Sequence, residues 1–166
     1  YVSWWLGMIE LRCGRFAIAA DCAEREREIQ RQYKIGDREE PDTWLVALIA
    51  AHRGELDLAR SLTESNRPVT EGHAIGRSGD DGVLGLVDLW SGRPSEAAAH
   101  FAAAESDRQG IGVNEPAMFW WRANYAEALL EIGKVDEAAA LVGAREAEAR
   151  RPRRSDSAGR LARGGQ

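Results

Sequence analysis

The 166 residues are 44% hydrophobic and 30% charged, a balance that supports one folded domain or a short run of repeats and excludes a wholly disordered chain. The formal net charge of −5 is unevenly spread: residues 149–166 carry six arginines against Asp156 alone, which leaves an acidic body that repels nucleic acid at long range. Two cysteines, Cys13 and Cys22, are too few for a disulfide framework and lack metal-ligand spacing, and no stretch reaches the ~18 continuous apolar residues of a membrane span. The expectation is therefore a cytoplasmic chain with two reduced, buried thiols, without a signal peptide or membrane contact. Because it begins without Met, inside an apolar run, it is also expected to be part of something longer.

Eight helices are predicted in chain order, in an Ala-, Glu-, Arg- and Leu-rich sequence that favours helix throughout. The first pair covers 2–13 and 15–34, the second 41–53 and 55–67, the third 79–91 and 94–107, the fourth 115–132 and 134–150. Pro41 and Pro94 suit a first helical turn. Ser78 is a candidate N-cap, with Asp80 and Asp81 near the positive end of the helix that follows. Asn114 does the same for the fourth pair, ahead of Glu115 and Pro116. Pro68 predicts that the fourth helix kinks or stops near Arg67, making Gly72 to Gly82 the longest irregular connection. From Pro152 onward apolar periodicity disappears, and residues 151–166 read as a basic, disordered tail.

A repeat organises these helices. Gly14, Gly54, Gly92 and Gly133 recur at intervals of 40, 38 and 41 residues, a period typical of stacked helix pairs. Five residues after each glycine comes Ala19, Ala59, Ala97 or Ala138, and seven before comes Gly7, Ala47, Gly85 or Ala126. A glycine just past a helix end takes the left-handed conformation at little cost. The small residues on either side let two antiparallel helices approach closely.

This turn, Gly-x-apolar-x-x-Ala with a small residue seven before the glycine, resembles the tetratricopeptide repeat, with longer connections. The resemblance implies an all-α fold, an α-solenoid of about four antiparallel helix pairs over residues 1–150. Two stretches are also similar to the helical-repeat region of large LuxR-type ATP-binding transcriptional regulators. One is Gly112 to Ala117 with Tyr125-Ala126-Glu127-Ala128-Leu129-Leu130-Glu131-Ile132-Gly133; the other is Gly92-Arg93-Pro94-Ser95-Glu96-Ala97. No Gly-x4-Gly-Lys-Ser/Thr occurs, so the family's nucleotide site does not carry over, and no recognition helix follows Gly133. The resemblance implies a binding scaffold, the sensor or regulatory portion of such a regulator, with a protein partner or small-molecule inducer and no direct nucleic-acid contact. The alternative is a free-standing adaptor for protein–protein interaction.

Residues with catalytic chemistry are scattered. His52, His73 and His100 lack metal-ligand spacing, and the serines lack a nucleophile-elbow context. Asp80 and Asp81 are simplest as a charged first turn, Gly76-Arg77-Ser78-Gly79 as a flexible loop, and Glu24-Arg25-Glu26-Arg27-Glu28 as a solvated helix face. No enzyme, cofactor or metal is expected. The tryptophans are the candidates for function. In tetratricopeptide register, Trp4, Met8, Trp44, Leu48, Trp90 and Trp120 fall on the inner face, where an aromatic groove would suit an extended peptide or an apolar small molecule. Trp5, one position out of phase, is expected in the core.

Overall fold

The computed structural model describes residues 2–33, 43–111 and 120–149, and among these it contains eight helices and no strand. In chain order they are α1 (Val2–Arg12), α2 (Phe16–Tyr33), α3 (Trp44–His52), α4 (Leu56–Thr70), α5 (Ala74–Trp90), α6 (Pro94–Ile111), α7 (Arg122–Glu131) and α8 (Val135–Ala149). None is long and apolar enough to cross a membrane. The positions of Pro41 and Asn114, and the basic tail, lie outside the described residues.

One turn is made four times. Gly14, Gly54, Gly92 and Gly133 each adopt a φ between 72° and 81°. Each glycine N–H donates to the carbonyl three residues back, on Leu11, Ala51, Leu89 or Leu130. The next N–H donates five residues back, to Glu10, Ala50, Asp88 or Leu129. These two bonds form a Schellman motif, which satisfies carbonyls that the helix end leaves open. Ala19, Ala59, Ala97 and Ala138 then donate to the residue directly after each glycine and open the following helix. All four alanines are buried, so the second helix of each pair starts flush against the first.

These turns pair α1 with α2, α3 with α4, α5 with α6 and α7 with α8; α2 also packs on α3, α4 on α5 and α6 on α7. A third set of contacts links α1 to α3, α3 to α5 and α5 to α7. A single apolar core runs from Met8 and Leu11 through Leu48, Leu86 and Phe101 to Trp121 and Leu129.

Two expectations fail between residues 67 and 82. Helix α4 passes through Pro68 and continues to Thr70, and α5 begins at Ala74. Pro68 is tolerated because it falls in the last turn and is exposed, and Glu64, four residues before it, faces water. The Glu71 N–H donates to the Arg67 carbonyl at 3.0 Å, closing the final turn. The connection shrinks to residues 71–73, with His73 in extended conformation at the N-cap position. Ser78 is therefore no cap. It lies mid-helix, buried, donating to the Ala104 carbonyl of α6 at 2.8 Å. Asp80 and Asp81 are buried too, and Gly76-Arg77-Ser78-Gly79 is helical, with Arg77 paired to Asp107 at 2.6 Å.

Helix α5 carries a glycine at every third position from 76 to 85, which is why it reads as a loop in sequence. Three-residue steps drift about 60° around a helix of 3.6 residues per turn, so successive glycines face different neighbours. A Cβ on Gly76 would lie 2.8 Å from Thr70, on Gly79 2.8 Å from Trp44, on Gly82 2.9 Å from Trp121, and on Gly85 2.6 Å from Phe101. The absence of side chains lets α4, α3, α7 and α6 all close on one central helix. From Ser78 to Leu89 every residue of α5 is buried.

Candidate functional site

Two features stand out on this frame: a set of aromatic clusters and a polar seam beside α5. The aromatic residues come from helices α1, α3 and α5, the start of α2 and the entry to α7. Trp4 stacks on Trp44 with ring centroids 5.1 Å apart and 28° between planes, and Trp5 meets Trp4 edge-on at 4.8 Å. The Trp44 indole N–H donates to the Gly79 carbonyl at 3.0 Å, so the ring is fixed at both ends. At the opposite ends of these helices His52 lies between Phe16, at 6.4 Å, and Trp90, at 5.1 Å. Partial desolvation by these rings lowers the pKa of His52, which still reaches solvent, from the ordinary histidine value. Trp120 packs edge-on against Trp121 at 5.7 Å.

The predicted inner-face residues divide accordingly. Met8 and Leu48 are core residues and face no solvent, so they leave the candidate groove. Trp4, Trp44 and Trp120 are half-buried, and Trp90 is 40% exposed. Only Trp4 and Trp44 are brought together. Trp44 lies ten residues before its turn glycine and Trp90 two before, a difference of about 12 Å along a helix axis at 1.5 Å per residue. Shared helical phase therefore does not produce one continuous groove; it produces separate aromatic clusters. Trp5 reverses expectation: it is 44% exposed, while Trp121, its counterpart in the second Trp-Trp dipeptide, is fully buried against Gly82. The cleft lined by Trp4, Ala23, Glu26, Arg27 and Leu45 has room for little more than a water molecule. Cys13 is exposed, contrary to expectation, and Cys22 buried. Within the charged run of α2, Glu26 is buried rather than solvated.

The polar seam was missed in sequence. Asp80, Asp81 and Asp88 of α5 point toward α4 and α6. Asp80 accepts from the Asn66 amide at 3.1 Å and the Thr70 hydroxyl at 2.5 Å. Asp81 pairs with Arg67, and Asp88 with Arg60 and, at 2.7 Å, Arg93. His100 of α6 sits between the two, with Nδ1 3.2 Å from Asp81 and Nε2 3.5 Å from Asp88. Buried carboxylates require such matching, because an unpaired one costs several kcal/mol. The signal available in sequence was the spacing: residues 81 and 88 lie seven apart, two turns along one face of a helix. Their partners are structural, joining three helices. Deeper along the same helices Glu105 pairs with Arg108 at 2.5 Å and approaches Arg122 of α7 at 3.6 Å.

Among the described residues no group of three His, Cys, Asp or Glu side chains is placed to hold a metal ion. The chain matches no family model, no curated protein and no solved structure.

Proposed function

We propose that this chain is a tetratricopeptide-like α-solenoid of four helix pairs that acts as a recognition scaffold, with the Phe16–His52–Trp90 cluster as its contact surface. The observation that carries this reading is a half-open Trp90 with the His52 ring packed edge-on beside it at 5.1 Å. A cluster of two aromatic rings and one imidazole suits an aromatic or aliphatic anchor of an extended peptide, or an apolar small molecule. Anchors of this kind commonly contribute about 2 kcal/mol or more to binding. Rigid support comes from the Schellman turns at Gly54 and Gly92, two residues after His52 and Trp90 respectively.

The sequence resemblance to LuxR-type regulators favours a setting in which this scaffold senses an inducer or partner for a transcription factor. A gene encoding a P-loop and a helix-turn-helix in the same reading frame supports that setting, and a gene encoding neither assigns the chain to the adaptors. The contact surface itself is tested by panning a random peptide library against the protein and against Trp90→Ala. Peptides enriched on the first and lost on the second support it. Enrichment that is indifferent to Trp90 overturns it.

A further inference from the structure

His52 and Trp90 owe their exposure to the turn edge and not to the ends of the array. Each belongs to an interior helix pair with another pair packed on either side, and each still meets solvent. Both stand two residues before a turn glycine. The position one before it holds Cys13, Arg53, Ser91 and Ile132 in the four repeats. All four turns make the same Schellman bonds, so the turn itself does not call for a charge there. Arg53 is the exception. Its Nη2 donates to the Phe16 carbonyl at 3.3 Å, which holds the guanidinium at the Phe16 edge of the aromatic cluster.

The charge on Arg53 is not spent within the fold. In the other three turns the cation that follows the glycine pairs with an acid of the same turn: Arg15 with Glu10, Arg93 with Asp88, Lys134 with Glu137. Arg53 meets no carboxylate among the described residues, Glu55 two residues on included. Its one bond, to a backbone carbonyl, leaves most of the guanidinium N–H groups open. The cluster beside it is short. Phe16, His52 and Trp90 follow one another at centroid separations of 6.4 and 5.1 Å, a line that about three residues of extended chain would cover at ~3.3 Å each. With His52 and Trp90 both exposed this is an open rim, whereas a small-molecule site encloses most of its ligand. An extended peptide needs no enclosure, and it brings a charged side chain within reach of its anchor.

We infer that the partner of this surface is an extended peptide with an Asp or Glu within about three residues of its apolar anchor, the anchor lying on His52 and Trp90 and the carboxylate on Arg53. This rests on the reading of the Phe16–His52–Trp90 cluster as the contact surface, and it adds the charge that the partner must carry. The test pans a random peptide library against the full chain and its Trp90→Ala, Arg53→Glu and Arg53→Gln variants. Arg53 is exposed, and Arg53→Gln serves alone should Arg53→Glu lose its helical circular dichroism. The wild type should enrich peptides with an acid close to an aromatic or aliphatic anchor. Arg53→Glu should keep the anchor and exchange the acid for Lys or Arg; Arg53→Gln should keep the anchor with no charge preference. A synthetic peptide from the wild-type pool should bind Arg53→Gln about fivefold more weakly than the wild type. Its affinity for the wild type should fall with added salt. The same peptide with its acid replaced by the amide should bind both proteins alike. Trp90-dependent peptides with no acidic preference, or with one that survives in both Arg53 variants, overturn this inference and leave the contact surface standing. Enrichment that is indifferent to Trp90, or no enrichment, overturns both.

Discussion

Helices α1 and α5 occupy the same place in their repeats, yet one shows an apolar face to water and the other is buried along twelve consecutive residues. Both end in the same Schellman turn, both carry a glycine seven residues before it, and both carry an acid four residues before it that pairs with an arginine one residue after it. The difference lies in the neighbours. Helix α5 is closed on by α3, α4, α6 and α7, whereas α1 contacts α2 and α3. Register fixes which way a residue faces. The presence of the next helix pair fixes what facing that way means for its stability.

The largest effect should come from the shared glycines. In Gly85→Ala the new Cβ meets the ring of the fully buried Phe101 at 2.6 Å, and the ring has nowhere to go. Overpacking of this kind costs about 2–3 kcal/mol, or roughly 4–12 °C of melting temperature in a domain of this size. In Gly7→Ala the Cβ meets the Leu45 methyl at 2.7 Å, the far end of a side chain that can rotate, and the cost should be about 1 kcal/mol. Equal losses in thermal melts of the two variants would break the comparison.

Next come the shared acids. Asp88 is buried and holds Arg60, Arg93 and His100. Asp88→Ala should cost about 2 kcal/mol, less than for a wholly buried pair because both arginines reach water. Glu10→Ala, which removes the half-buried partner of an exposed Arg15, should shift the denaturation midpoint far less than Asp88→Ala. The tryptophans follow. Trp44→Ala removes a stack on Trp4 and a hydrogen bond to Gly79, and should cost about 1–2 kcal/mol, whereas Trp5→Ala should cost under about 0.5 kcal/mol. Acrylamide quenching in the two variants should agree, with Trp5→Ala removing the more quenchable signal.

The smallest effect concerns pH. His52 has a lowered pKa from burial, so the unfolded chain binds more protons near this site than the folded one. Stability should fall as pH drops below about 6.5, the ordinary histidine value, and the fall should be reduced in His52→Gln. Since His52 is partly exposed, the difference between the two proteins should be small. A His52→Gln variant with an identical pH profile would place the imidazole in water.

The four turns and the pairing they impose were legible because they depend on local chemistry: a glycine that tolerates positive φ, and an alanine where two helices touch. Helix α5 was not. Its glycines carry the same letter as the turn glycines, but they serve close approach rather than backbone freedom, and that role exists only once Trp44, Phe101 and Trp121 have arrived from other parts of the chain. Asp80 and Asp81 were misjudged for the same reason, because a carboxylate at a supposed helix start and one matched to Asn66 or Arg67 inside a seam look alike until the partners are placed. The tryptophans recur at similar helical phase, but phase says nothing of height along the axis, so one groove was expected where the structure has separate clusters.

Gly14, Gly54, Gly92 and Gly133 offer the most direct measurement of whether one turn is built four times. A Cβ at any of them would meet no neighbour within 4 Å, so alanine there probes the backbone alone. With φ between 72° and 81° at all four, each single Gly→Ala variant should lose about 1–2 kcal/mol in equilibrium unfolding, with the four values close to one another. Four variants as stable as the wild type, or one that gains stability while its counterparts lose it, would contradict a common turn and with it the register from which the proposed surface is drawn.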